Sequence, residues 1–483
     1  MENPNEMLFS SIVYFIFLGC SLLLYYAVVA KWRNYFLTVI SALFYMYVDI
    51  SYIFIIFLII FVNYYISIKI ENAYNKRKRK LFLHLSLFVN LGILVFFKYW
   101  NFLIWNLFQF FDLFHFKRTI NIPLIELILP LGLSYYVFQT IGYTLDVYRG
   151  SSKAEKNFSQ FTLFTLFFPK LLVGPIERAN HLIPQLKRKI YYNNENIIEG
   201  SKRIAWGLFK KLVVADRISI YHASVIGSSQ FQSGGTILLA CVLYTFQVYA
   251  DFSGYTDIAI GSARMFGFDL MENFKRPLLA KSVSEFWRRW HISLSSWVND
   301  YIFNPLVFKN RDWGIWGIFY GLIISFVVIG IWHGAAWNYV IFGLLQAIAL
   351  IYEVITRKAR KRISHKLNTI LYNTISILVT FSFVTFSLII FQSTTFNEAI
   401  NIVERIFINN GPLFYDKPST LLFMSIGCAI LILVDSDREF SILKFSLFSN
   451  NNWLIQQVSY ALLLIYILLA GVFDGGQFIY FSF

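Results

Sequence analysis

Apolar runs recur from residue 7 almost to the end of the chain, separated by short polar stretches. A helix needs about 20 apolar residues to cross a bilayer, and the pattern predicts about eleven such spans. They fall near 7–30, 33–48, 51–69, 81–97, 124–147, 236–262, 314–333, 337–356, 369–393, 419–434 and 453–473. The aromatic segment 98–113 reads as a helix at the membrane interface. Glu2 and Glu6 precede the first run, which therefore lacks the basic start of a signal peptide and reads as a retained helix. No Pro-, Gly- or Ser-rich linker divides the chain and no internal repeat is visible, so residues 1–483 read as one integral membrane domain. The fold class this predicts is an all-α polytopic membrane protein.

Three stretches depart from the simple pattern. In 158–175 an apolar segment is broken by Pro169, Lys170 and the Gly174-Pro175 pair, which predicts a re-entrant segment shielded by protein. In 201–217, Ala205, Leu208, Phe209, Leu212 and Val213 share one helical face, while Arg203, Lys210, Lys211 and Arg217 share the other. That is the pattern of an interfacial helix, serving either as an anchor on anionic lipid or as a basic rim for an anionic substrate. In 282–301 a capping box, Ser282 to Glu285, opens a helix that runs through Phe286-Trp287-Arg288-Arg289-Trp290-His291. This helix is too polar to face lipid all round.

Composition agrees with a membrane protein. The chain is 57% hydrophobic and 14% charged, where soluble domains carry about 25% charged residues. The net charge of +15 collects in loops between spans, at Lys31–Arg33, Lys76–Lys80, Arg149–Lys156, Lys187–Lys189 and Arg357–Lys366. Such loops mark the cytoplasmic side, which places the N-terminus and loop 394–417 outside; no nucleic-acid motif accompanies the charge. Cys20, Cys241 and Cys428 lie far apart in apolar stretches and form neither a disulfide framework nor a metal-ligand set.

Candidate chemistry narrows to two of the seven histidines. His84, His115, His181, His222 and His365 lie at span ends or in loops and read as structural or solvated. His333 stands between two apolar spans in Gly330-Ile-Trp-His-Gly-Ala-Ala-Trp-Asn338. An ionisable group at that depth is a functional candidate, and histidine suits general-base work near neutral pH. A buried histidine bonded to a neighbouring helix is the plainer reading. No serine-hydrolase elbow, phosphate-binding loop, zinc-protease motif or dinucleotide fingerprint competes. Asp251 and Asp257 could orient a histidine or pair with arginines.

Several motifs resemble the membrane-bound O-acyltransferase family, in its bacterial alginate O-acetyltransferase type. They are Asp251-Phe-Ser-Gly-Tyr-Thr-Asp257 with its continuation to Phe268, Ser284-Glu-Phe-Trp-Arg-Arg-Trp-His291 with its continuation to Trp297, and Ile331-Trp-His-Gly-Ala-Ala-Trp337. Phe168-Pro-Lys-Leu-Leu-Val-Gly-Pro-Ile-Glu-Arg178, Ile183-Pro-Gln-Leu186 and the ending Gln477-Phe-Ile-Tyr-Phe481 match as well. The motif-rich core covers about 130–350. One departure is Val307-Phe-Lys-Asn-Arg311 after Tyr301-Ile-Phe-Asn-Pro-Leu306, where the relatives often carry a Gly-Gly-Asn-Arg turn.

The resemblance implies a ring of membrane helices around a thin core with a central tunnel. It implies acyl transfer from a cytoplasmic thioester, with the family's histidine at His333 and its second polar position at His291. It also implies a bacterial inner-membrane protein that acetylates polysaccharide or peptidoglycan together with a periplasmic serine-hydrolase-like partner. The expected donor is acetyl-CoA, with no tightly bound cofactor. Its phosphates would meet Arg288, Arg289 or the 203–217 helix; Trp332, Trp337 and Asn338 are candidate oxyanion donors. Two alternatives stand beside this one: D-alanyl transfer from a carrier protein toward teichoic acid, and a polysaccharide exporter without catalysis.

Overall fold

The structure, a computed structural model, describes residues 9–473 apart from positions 49, 116–121, 126–128, 173, 416, 443–447, 449 and 451. All regular structure among the described residues is helical. The chain runs through α1 (Ile12–Ala27), α2 (Arg33–Val48), α3 (Ile53–Asn72), α4 (Lys76–Leu94), α5 (Trp100–Leu113), α6 (Leu133–Arg149), α7 (Phe158–Leu166) and α8 (Phe168–Leu171). It continues through α9 (Ala179–Leu186), α10 (Asn194–Leu208), α11 (Asp216–Gly227), α12 (Gly234–Met265), α13 (Val283–Arg289), α14 (Ile292–Val298) and α15 (Asn304–Lys309). The remainder is α16 (Ile315–His333), α17 (Trp337–Ile355), α18 (Arg357–Lys366), α19 (Thr369–Gln392), α20 (Phe396–Ile408), α21 (Pro418–Phe440) and α22 (Trp453–Ala470). The ending Gln477–Phe481 lies outside the described residues.

Among the described residues, eight helical segments are long and apolar enough to cross a membrane, the family-like motifs lying within and between them. The expected spans at 7–30, 33–48 and 124–147 are helices of 16, 16 and 17 residues. The last of these starts only at Leu133, because Gly132 turns the chain with φ +73° against the Leu171 carbonyl, 2.7 Å from where a Cβ would stand. The aromatic segment 98–113 is not a separate interfacial helix. It continues α4 through a π-helical stretch, Val95–Tyr99, into one 38-residue helix.

The most buried element is α12, which packs against α8, α10, α11, α19 and α20. It meets α10 at two glycine pairs. A Cβ on Gly207 would stand 2.6 Å from the Gly254 carbonyl oxygen, and one on Gly261 would stand 2.7 Å from that of Gly200. Only glycine lets two helix backbones approach so closely.

That close approach overturns the reading of 201–217 as an interfacial helix with an outward basic face. Lys210 and Lys211 are buried against α12. Lys211 pairs with Asp216 and Asp251, each at 2.8 Å, and Lys210 pairs with Asp257. Arg203 bridges Asp257 at 3.0 Å and Glu272 at 2.6 Å. Three of the four basic residues, Arg203, Lys210 and Lys211, face carboxylates, while Arg217 donates to the Ala470 carbonyl, so most of the charge pattern that suggests a lipid surface is a set of internal ion pairs.

The broken segment is enclosed by protein. The chain breaks at Phe167, ahead of Pro169, between α7 and α8, both buried. Freed polar groups find partners: the Phe168 N–H donates to Ser41 Oγ at 3.1 Å, and the Lys170 ammonium donates to Gln139 Oε1 at 2.7 Å and to the Thr165 carbonyl at 3.1 Å.

Several basic loops converge on one end. Arg33 donates to the Ile190 carbonyl, Arg79 to that of Tyr148, Lys187 pairs with Glu155, and Arg178 pairs with Asp300. From Lys76 at that end, α4 and the π-helical stretch rise about 33 Å to Lys98.

Candidate functional site

Lys98 reaches the carboxyl end of α16, where His333 is the last residue. A helix end leaves carbonyls without intrahelical partners. Here the Lys98 ammonium donates to the Trp332 carbonyl at 2.7 Å and the His333 carbonyl at 3.0 Å, and the Tyr99 hydroxyl donates to the Ile331 carbonyl at 2.7 Å. Three consecutive carbonyls are thus tied to one turn of the neighbouring helix. Gly334 follows in extended backbone, and a Cβ there would strike the Tyr339 ring at 2.1 Å. The buried His333 ring lies against Trp332 and Phe391, each at 5.1 Å between centroids.

His291 reaches the same place from the other side. It stands between α13 and α14 in left-handed backbone, φ 43° and ψ 53°, which non-glycine residues seldom adopt. Asn273 holds it there. The Asn273 Oδ1 accepts from the Ser293 N–H at 3.2 Å and the Ser293 hydroxyl at 2.9 Å, and it lies 3.1 Å from His291 Nδ1. An amide oxygen only accepts, so His291 Nδ1 carries a proton and, in the neutral ring, Nε2 holds the lone pair.

Among the described residues, His291 Nε2 is buried without a hydrogen-bond partner, and the same holds for the Trp332 indole nitrogen and the Tyr135 hydroxyl. The three rings surround one another: His291 to Trp332 is 5.5 Å, Tyr135 to Trp332 is 5.4 Å, and Tyr135 to His291 is 6.4 Å. Trp332 therefore stands between the two histidines. Buried polar groups are almost always satisfied, so three orphans in one cluster mark a place for a polar ligand or water.

Two cavities approach this cluster. A small void of ≈ 20 Å³ is lined by His333, Trp287, Trp290, Phe342 and Phe391. A larger one of ≈ 670 Å³ runs beside α12 from Arg264 to Tyr249, lined by charged side chains of α10, α12, α21 and the 269–276 loop. Tyr249 and Phe274 close its inner end. Phe274 touches Trp290 at 5.0 Å between ring centroids and Tyr249 lies 6.4 Å from it, so one aromatic layer separates the two cavities.

The other sequence candidates are dispersed. Asp257 lines the large cavity, held by Lys210 and Arg203. Arg289 is committed to Glu285 at 2.5 Å and Glu439 at 2.7 Å, and Arg288 lies exposed, 3.4 Å from the Ser284 hydroxyl. The Trp337 indole N–H donates to Asn106 Oδ1 at 2.8 Å. The Asn338 amide N–H donates to the Ser393 carbonyl at 2.5 Å, which ties α17 to the end of α19. Sequence reasoning missed Asn273, Lys98 and Tyr135. Of these only Lys98, a charge inside an apolar segment, carried a signal.

The Pro-Ile-Glu-Arg and Ile-Pro-Gln-Leu motifs shape the loop that delivers Asn273. Glu177 Oε1 accepts the Met271 N–H at 2.5 Å, and Gln185 exchanges hydrogen bonds with the Asp269 backbone at 2.8 and 2.9 Å. The second oxygen of Glu177 lies 2.8 Å from His181 Nδ1, a hydrogen bond that raises the His181 pKa above its ordinary value.

Known proteins are similar to this chain over most of its length. The model of the membrane-bound O-acyltransferase family (MBOAT) matches residues 151–393. The probable alginate O-acetylase of Pseudomonas putida is 37% identical over 349 residues, 72% of this chain and 70% of that protein. The peptidoglycan O-acetyltransferase of Helicobacter pylori is 31% identical over 423 residues, 82% of this chain and 77% of that protein. The teichoic acid D-alanyltransferase of Bacillus subtilis is 30% identical over 297 residues, 56% of this chain and 71% of that protein. The family match spans both histidines and the charged core of α12, and the chain belongs to the membrane-bound O-acyltransferase family as a multi-pass membrane enzyme of acyl transfer.

Proposed function

We propose that the protein takes acetyl from cytoplasmic acetyl-CoA and passes it across the inner membrane toward hydroxyl groups of a polysaccharide or peptidoglycan. A periplasmic serine-hydrolase-like transferase would receive or relay it. The observation that carries this reading is the buried His291–Trp332–His333 cluster, one aromatic layer from a cation-bearing cavity.

The larger cavity suits the donor better than Arg288 and Arg289. Lys275 and Arg438 line it, and neither is held in an ion pair among the described residues. These two would meet the phosphates, while the slender pantetheine arm passes Tyr249, Phe274 and Trp290. In the proposed step, a ring nitrogen of His333 takes the proton of the acceptor hydroxyl as its oxygen attacks the thioester carbonyl. The Trp332 N–H and the Tyr135 hydroxyl would donate to the oxyanion. When the C–S bond breaks, the thiolate of coenzyme A takes the proton from His333, which regenerates the base. His291 positions or assists through Nε2.

D-alanyl transfer uses the same centre with a carrier protein as donor. The longer matches to O-acetyl enzymes favour acetyl. Turnover by purified protein in liposomes tests the choice. Acceptor-dependent release of coenzyme A from acetyl-CoA is expected; acyl transfer only from a D-alanyl-loaded carrier would replace the donor, and no transfer from either would contradict both.

A further inference from the structure

A third cavity, of ≈ 270 Å³, lies away from the histidines, among α17, α18, α19 and the start of α13. Its lining divides by chemistry. Lys281, Arg360, Tyr372 and Glu353 supply polar groups, and Ala349, Ile375, Val379 and Phe383 supply an apolar wall. Along α19 the lining runs from Tyr372 to Phe383, about 16 Å at 1.5 Å per residue. One leaflet of the hydrocarbon core is about 15 Å deep. The wall is open to lipid: Val379 is 63% exposed and Ile375 45%.

Cations outnumber acids at the polar end, where the lining holds Lys281, Arg360 and Glu353. Arg357, Lys358, Arg360, Lys361, Arg362 and Lys366 all lie on α18, which has no acidic residue. Arg360 differs from the others because it is half-buried and fixed. Its Nη2 donates to the Glu353 carbonyl at 2.8 Å and its Nε to Thr356 Oγ1 at 3.3 Å. The Glu353 carboxylate does not neutralise it by a direct pair, since its two oxygens accept from the Val283 N–H at 2.6 Å and the Ser284 N–H at 3.1 Å.

We propose that this cavity is a seat for one anionic glycerophospholipid, its phosphate between Lys281 and Arg360 and one acyl chain along Ile375, Val379 and Phe383. A phosphodiester satisfies a guanidinium and an ammonium together, and an acyl chain of one-leaflet length covers the exposed wall. A free phosphate would fill the polar end alone, and a zwitterionic lipid would bring an ammonium group to a surface already crowded with cations. The seat is independent of the acyl-transfer chemistry. It touches the first turn of α13, the helix that carries Trp287 to the void at His333.

Native mass spectrometry of the full-length protein, taken from nanodiscs of equal phosphatidylglycerol and phosphatidylcholine, tests the seat. The expected result is one retained phosphatidylglycerol, preferred about tenfold or more over phosphatidylcholine. Millimolar inorganic phosphate should not displace it. The double variant Lys281→Gln/Arg360→Gln should lose the preference, while Lys361→Gln/Arg362→Gln, which removes the same charge from the exposed side of α18, should keep it. Equal retention of the two lipids, displacement by phosphate, or equal loss in both double variants would overturn the proposal. The wild-type selectivity and the phosphate arm decide it even if a variant fails to fold.

Discussion

At His291 the backbone adopts a left-handed conformation that costs a non-glycine residue about 1–2 kcal/mol. The Asn273 side chain, which binds both His291 Nδ1 and Ser293, offsets that cost and sets the tautomer. Replacing Asn273 with Ala leaves buried N–H groups unpaired, at about 1–3 kcal/mol. We expect a lower melting temperature and a fall in kcat with little change in KM for acetyl-CoA, because the Asn273 side chain does not line the larger cavity. A change confined to KM would remove Asn273 from the positioning of His291. Lys98 is a second positioning residue. Lys98→Met frees the carbonyls of Trp332 and His333, and a displacement of that helix end by 1 Å can lower kcat about 100-fold. Lys98→Arg should recover part of the activity, and a methionine variant with wild-type kcat would contradict the role. Neither residue was legible in its function. Their chemistry is hydrogen bonding to segments far away in sequence, which no local pattern encodes, whereas His333 announced itself as an ionisable group between two apolar spans.

At the scale of elements, apolar length made the long helices legible, and polar breaks correctly marked Pro169 as a place where the chain is interrupted inside protein. The reading failed at 201–217, where a basic stripe opposite an apolar one fits a lipid surface equally well as it fits carboxylates on a neighbouring helix. The deciding signal was on the partner: Asp251 and Asp257, already read as possible partners of arginines, take Arg203, Lys210 and Lys211 as counter-charges. Lys211→Met would leave Asp216 and Asp251 together in a buried site. Removing one partner of a buried pair costs about 3–5 kcal/mol, so loss of folded protein in detergent is expected, and normal thermal stability would contradict the ion-pair account. Gly254→Leu should destabilise by about 1–3 kcal/mol or more by forcing α10 from α12. The α9 loop contributes a small pH dependence. His181 has a raised pKa in the folded protein, so its stabilisation is complete below about pH 6.5 and fades as pH rises through the higher folded value. His181 is partly exposed, so the amount stays below about 1 kcal/mol. The pH dependence of melting in His181→Gln against wild type measures it.

Across the whole molecule, charge and chemistry are separated along one axis. Several basic loops gather at one end, the cation-bearing cavity enters beside α12, and the aromatic layer at Trp290 lies between it and the histidines. Loop charge made this polarity legible; the two cavities were not, because their walls come from helices distant in sequence. Labelling tests the orientation. In a Cys20→Ser background, Asn410→Cys should react with an impermeant thiol reagent from outside and Arg77→Cys should not; the reverse pattern would invert the topology. The central claim, that His333 is the group through which acyl transfer proceeds, is tested most directly by acetyl transfer in proteoliposomes holding equal amounts of folded wild type and His333→Ala. A positioned general base contributes about 10²–10⁴-fold, so a loss of at least that size at unchanged melting temperature is expected. Near-wild-type acetylation by His333→Ala would contradict the mechanism.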